Sequence, residues 1–77
     1  MITLADIQKN LATEIKNSGL SQTELAKLLG IKQPTIGQYI SGRAMPALDT
    51  FANLCVILDV DPAEILCTSN TYNKNNF

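Results

Sequence analysis

SQTELAKLLGIKQPTIGQYIS, residues Ser21 to Ser41, decides how the rest of the chain is read. Ser21 offers a hydroxyl where a helix would start, and Glu24 follows at the three-residue spacing of a capping box. Leu25, Leu28 and Leu29 then recur at helical intervals and predict one buried face. Ala26, beside that face, is small enough for two helix axes to cross closely. Gly30 ends the run, at a position where a left-handed backbone is cheap for glycine and costs other residues roughly 1 kcal/mol or more. Ile31 plugs the corner. A second helix begins near Gln33, with Pro34 tolerated because N–H groups of a first turn have no intrahelical acceptor. Proline also biases the residue before it away from helical dihedrals, which moves the expected cap from Lys32 to Gln33. On a wheel of about 100° per residue, Ile36, Tyr39 and Ile40 share one side, and Pro34, Gly37, Gln38 and Ser41 the other. The first side predicts core. The second is short, polar and uncharged, which suits a helix that comes close to another surface and hydrogen-bonds to it.

Working outward, Thr3 or Asp6 caps a preceding helix whose Leu4, Ile7, Leu11 and Ile15 recur at spacings of three and four. That helix stops at Ser18-Gly19, and Leu20 is placed to staple onto Leu25. Downstream, Ser41-Gly42 is another glycine stop, and Arg43 to Pro46 form a loop. Ala47 to Asp59 then predicts a helix with the longest apolar stripe of the chain, at Leu48, Phe51, Leu54, Cys55 and Leu58. Asp61 caps and Pro62 starts a last short helix with Ile65 and Leu66, closing the bundle over Val60. The expectation is a compact all-α domain of five helices over residues 1–67. The asparagine-rich TSNTYNKNNF, residues 68–77, lacks periodicity and reads as a disordered tail.

A chain of 77 residues supports one domain and buries only about 60% of its unfolded surface, too little for a deep catalytic pocket. No stretch approaches the ~20 apolar residues of a membrane span, and the N-terminus lacks the basic-then-apolar order of a signal peptide. The cytoplasm is the expected location. There is no histidine, no glycine-rich phosphate loop and no carboxylate pair spaced for acid–base work, so neither a catalytic residue, a cofactor nor a small-molecule ligand is expected. Asp59 and Asp61 read as the end of one helix and the cap of the next. Cys55 and Cys67 lack CxxC spacing and read as small buried or half-buried thiols, with no metal.

The net charge of −1 argues against nucleic-acid binding, because a basic footprint is its usual first sign. Position alters that argument. Residues 20–46 carry Glu24, Lys27, Lys32 and Arg43 and sum to +2, whereas residues 47–77 hold four acids and Lys74 and sum to −3. The positive end coincides with the helix that begins near Gln33. Few basic residues imply a shallow salt dependence of any phosphate binding.

With Gln22, Ala26, Gly30, Ile36 and Gly42 at fixed offsets, followed by a proline and an aliphatic helix, the chain from about Ile7 to Leu66 resembles the helix-turn-helix DNA-binding domain of the Cro/lambda-repressor type. The resemblance implies a five-helix fold, double-stranded DNA as the partner and the helix from Gln33 lying in the major groove. Gln22 and Gln33 match the family's glutamines at the starts of its second and third helices, where the first contacts phosphate and supports the second on a base. A glutamine amide, with donor and acceptor side by side, also matches adenine N6 and N7. Gln33, Pro34 and Gln38 are thus the base-contacting candidates, Pro34 departing from the family's small polar residue and offering only apolar contact to a thymine methyl. Gln22, Lys32, Thr35, Ser41 and Arg43 are the backbone-contacting candidates, with Lys32 and Arg43 at the two ends where phosphate strands would run. Thr35 reads equally as a first-turn stabiliser, and Gly37 as a clearance site. The implied activity is that of a homodimeric transcriptional repressor or regulator. An antitoxin or restriction-controller regulator of the same fold, and a protein-interaction module without DNA affinity, are the alternatives.

Overall fold

Two capping boxes start the first two helices. In the computed structural model, which describes residues 1–69, the Thr3 hydroxyl accepts from the Asp6 N–H at 3.2 Å while the Asp6 carboxylate accepts from the Thr3 N–H at 3.3 Å. They open α1, Leu4–Asn17. Ser21 and Glu24 repeat the arrangement at 3.0 and 3.2 Å and open α2, Gln22–Leu29. Each box satisfies two N–H groups that a helix start leaves without partners. Gly30 then takes φ +70°, and the Ile31 N–H reaches back to the Ala26 carbonyl at 3.0 Å, so the chain turns sharply within a hydrogen-bonded frame.

α3 spans Gln33–Ser41, α4 Leu48–Leu58 and α5 Pro62–Ile65. The cap of α3 is Lys32, with extended dihedrals and no side-chain cap bond, and Gln33 is already helical. The expected shift of the cap to Gln33 is therefore corrected: the bias that proline imposes on its neighbour is a preference that the fixed turn at Gly30 outweighs. α4 ends at Asp59, which adopts the left-handed conformation with φ +55° that aspartate tolerates better than most residues. The Asp61 carboxylate accepts from the Ala63 N–H at 3.0 Å and caps α5 ahead of Pro62.

α1 and α2 both pack on α3, α4 packs on α2, and α5 returns to α1. The core these helices share consists of Leu11, Ile15, Leu25, Ala26, Ile36, Tyr39, Phe51, Leu54, Cys55 and Ile65. Three residues expected inside are not. Leu28 is 61% exposed, Leu4 70% and Leu48 87%. Leu25, Leu29 and Ala26 fit one arc of about 100° on the wheel, and Leu28 falls outside it by roughly 60°. Leu4 and Leu48 are the first helical residues of α1 and α4; they edge a shallow apolar groove of about 180 Å³ with Met45, Pro46 and Leu66. The Thr68 and Ser69 N–H groups both reach the Ala63 carbonyl, at 2.8 and 3.2 Å. The expectation for residues 70–77 lies outside the described residues.

Candidate nucleic-acid interface

Pro34 and the left-handed Gly30 set where α3 begins, and Ile36 and Tyr39 fix which way it faces. Both side chains are buried, so α3 turns Gln33, Pro34 and Gln38 outward. Tyr39 is core, as expected of a residue on the Ile36 side, and Ile40 is half-buried beside it.

Gln22 and Gln33 meet across the turn. The Gln33 Nε2 donates to the Gln22 Oε1 at 2.8 Å, although the two are eleven residues apart. Because Gln22 is the first residue of α2 and Gln33 the first of α3, the bond links the starts of the two helices. It holds the Gln33 amide in one orientation while its Oε1 and second N–H remain available for an external donor and acceptor. Gly37 lies one turn further along: a Cβ there would come within 3.5 Å of the Gln22 Oε1, an ordinary contact. Nothing among the described residues requires a glycine at that point.

The backbone-contacting candidates fall around this pair. Lys32, Gln22, Ser41 and Arg43 are exposed, and Thr35 is half-buried. Lys32 caps α3 without using its side chain, so the ammonium extends beyond the helix start. Arg43 follows the left-handed Gly42 at the other end. The nine residues of α3 are roughly 14 Å long at a rise of 1.5 Å per residue, and Lys32 and Arg43 lie just beyond its two ends. The Ser41 Oγ donates to the Gln38 carbonyl at 3.2 Å, so its single proton reaches a phosphate oxygen only in exchange for this bond.

Two polar residues of α1 escaped the sequence reading. The Gln8 Nε2 donates to the Tyr39 carbonyl at 3.3 Å and to the Ile40 carbonyl at 3.1 Å. The Asn10 Nδ2 donates to the Ile65 carbonyl at 3.1 Å and approaches the Cys67 Sγ at 3.2 Å. Gln8 was detectable, since it falls between Leu4 and Leu11 on the apolar spacing that continues to Ile15; a polar residue on a core stripe needs a partner. Asn10 lies off that stripe and carries no such mark.

A family model described as helix-turn-helix matches residues 11–65. Among solved structures, the chain is similar to the SOS-response transcriptional repressor LexA of Eubacterium rectale, at 21% identity and a TM-score of 0.73, covering 91% of this chain and 74% of that one. It is similar to a restriction-modification controller protein of Aeromonas hydrophila at 28% identity and a TM-score of 0.66, covering 78% and 91%. A hypothetical transcription factor of Neisseria matches at 24% identity and a TM-score of 0.67, covering 86% and 79%. The first and third of these bear on the fold alone. Comparison with curated proteins gives no match.

Proposed function

Because the chain belongs to the helix-turn-helix family of the lambda-repressor type and is a DNA-binding regulator, we propose that it is a sequence-specific transcriptional repressor or regulator that pairs as a homodimer in the cytoplasm and reads the major groove of double-stranded DNA with α3. The observation that carries this reading is the Gln22–Gln33 bond at 2.8 Å. It orients an exposed amide at the start of α3, and an oriented amide discriminates adenine where a freely rotating one does so weakly. Gln33 and Gln38 read bases and Pro34 contacts a thymine methyl. Gln22, Lys32, Thr35, Ser41 and Arg43 hold the phosphates. Lys32 and Arg43, just beyond the two ends of α3, suit phosphate strands that border the groove in which α3 lies. Gly37 supports the same reading: a methyl group there has ordinary room within the chain, so its absence answers to something approaching from outside. Regulation follows from occluding or recruiting polymerase, and no catalytic step is involved.

A second reading draws on the 28% identity with the Aeromonas hydrophila controller protein: regulation of a neighbouring restriction–modification pair, with the same DNA chemistry and a different set of genes. Retention on heparin and on random duplex DNA at low salt, followed by selection of bound sequences, tests the function itself. Enrichment of one inverted repeat is the expected result, and its position relative to methyltransferase and nuclease genes separates the two readings. Absence of retention and of enrichment overturns both and leaves a protein-interaction module.

A further inference from the structure

The last turn of α3 is completed by another helix. In a continuing helix the Arg43 and Ala44 N–H groups would bond the Tyr39 and Ile40 carbonyls. Both turn back to the Gln38 carbonyl instead, at 3.0 and 3.3 Å. α3 has no basic residue in its last turn to approach the two carbonyls left over. Gln8 supplies the donors from α1, at 3.3 and 3.1 Å, and it does so at a half-buried site where an unmet carbonyl would be costly.

Gly42 forms the other half of this joint. A Cβ there would lie 3.0 Å from the Gln8 Cδ and 3.2 Å from both its Nε2 and its Oε1. The glycine thus serves the left-handed turn, at φ +82°, and also leaves the space in which the Gln8 amide lies.

We propose that Gln8 is the positioning residue of the reading helix, fixing the direction of its C-terminal end and with it the placement of the exposed Gln38 amide against the base edges. The proposal rests on α3 being the reading element. Ile36 and Tyr39 set the depth of α3, but apolar contacts are non-directional and leave the nine-residue helix able to tilt. Hydrogen bonds fix angle as well as distance. Such bonds lie at both ends of α3, from Gln33 to Gln22 at its start and from Gln8 to Tyr39 and Ile40 at its finish. Recognition by paired hydrogen bonds tolerates about 0.5 Å of misplacement, so a loosened end costs discrimination before it costs folding.

The test uses the full chain and three duplexes: the selected site, a one-base variant of it and random sequence. Gln8→Met keeps length and bulk and removes both donors, whereas Gln8→Lys keeps donors within reach. Gln8→Met is expected to bind the selected site roughly tenfold more weakly while binding random DNA within about twofold of wild type. Hydrogen exchange at the Gly42, Arg43 and Ala44 amides is expected to accelerate, and Gln8→Lys is expected to restore the ratio of selected to one-base-variant affinity. Should Gln8→Met not fold, Gly42→Ala displaces the same amide from the opposite side and is expected to show the same loss of discrimination. A folded Gln8→Met that matches wild type on the selected site, or that loses selected and random DNA alike, overturns the proposal. Gln33→Ala, measured alongside, separates the two failures. An unchanged base preference in Gln33→Ala means that α3 does not read, and exchange at residues 42–44 then decides by itself whether Gln8 holds the helix.

Discussion

Gln33 and Gln38 present amides on the outer side of α3, while Lys32 and Arg43 present charges at its ends, and these chemistries discriminate between DNA sequences to different extents. Any phosphate satisfies a charge; only some base edges satisfy an amide. Gln33→Ala or Gln38→Ala is therefore expected to lose roughly 1–3 kcal/mol on the selected site and to relax preference at one base pair, with random-sequence binding nearly intact. Lys32→Ala or Arg43→Ala is expected to weaken all sequences alike and to lower the salt slope by about one unit each. Titrations of the four variants on selected, one-base-variant and random duplexes at several salt concentrations check both halves, and a uniform loss from the glutamine variants would remove α3 as the reading element. Cys55 makes a different residue-scale prediction. Burial pushes its thiol above the ordinary value of 9.0, and the charge of Asp61 adds to the shift. The folded chain then keeps a proton that the unfolded chain releases, so this contribution to stability is complete below pH 9.0 and is lost as pH rises through the folded value. The urea midpoint of wild type should fall more steeply above pH 9.0 than that of Cys55→Ala, and parallel curves would show that the thiol holds its proton equally well in the folded and unfolded chains.

At the scale of the elements, the two glycine stops flanking α3 differ in what a side chain would meet. Gly30 has φ +70° and open space where a Cβ would point, whereas Gly42 has φ +82° and the Gln8 amide 3.0 Å from that position. Gly30→Ala is expected to lower stability by about 1–2 kcal/mol through backbone conformation alone, and Gly30→Val by more, because a β-branched residue is poorly accommodated there. Gly42→Ala should exceed Gly30→Ala, since it adds displacement of Gln8 to the same backbone cost. Thermal melts of the three variants test the order; an unchanged melting temperature for Gly30→Val would place the turn elsewhere. Helix starts and stops were legible in the sequence because they depend on local chemistry: Ser21 with Glu24, Asp61 with Pro62, and glycine after α2 and α3. Burial at helix starts was not, because a periodic pattern continues to the first residue of a helix whether or not a neighbour covers it. Leu4 and Leu48 stand exposed for that reason.

For the molecule as a whole, the two large exposed apolar side chains of α4, Leu48 and Val56, at 87% and 78% exposure, lie on the helix that leads into the C-terminal third expected to pair. A single small module makes too few contacts for the ~10⁻⁸ M affinity at which specific sites are usually held. Pairing through this third is expected to set two half-sites about 34–36 Å apart, one helical turn of DNA. Sedimentation of the chain alone and on its selected duplex measures this, and a monomer in both would remove it. The candidate site was legible where one helix carries it, as with Gln33 and Gln38, and illegible where distant elements meet. No spacing announces that Gln8 will find Tyr39 and Ile40 some thirty residues on. The bond from Asn10 to the Ile65 carbonyl spans 55 residues, and on the ribosome such a bond has a direction in time. α1 leaves the exit tunnel first, with Leu11 and Ile15 uncovered, and its last partner follows only after those 55 residues are made. At about 5–20 residues per second the side of α1 that faces α5 stays open for roughly 3 to 11 s, even after α3 has become available to cover the rest. In that interval chaperones that scan emerging chains can reach a surface closed to them afterwards.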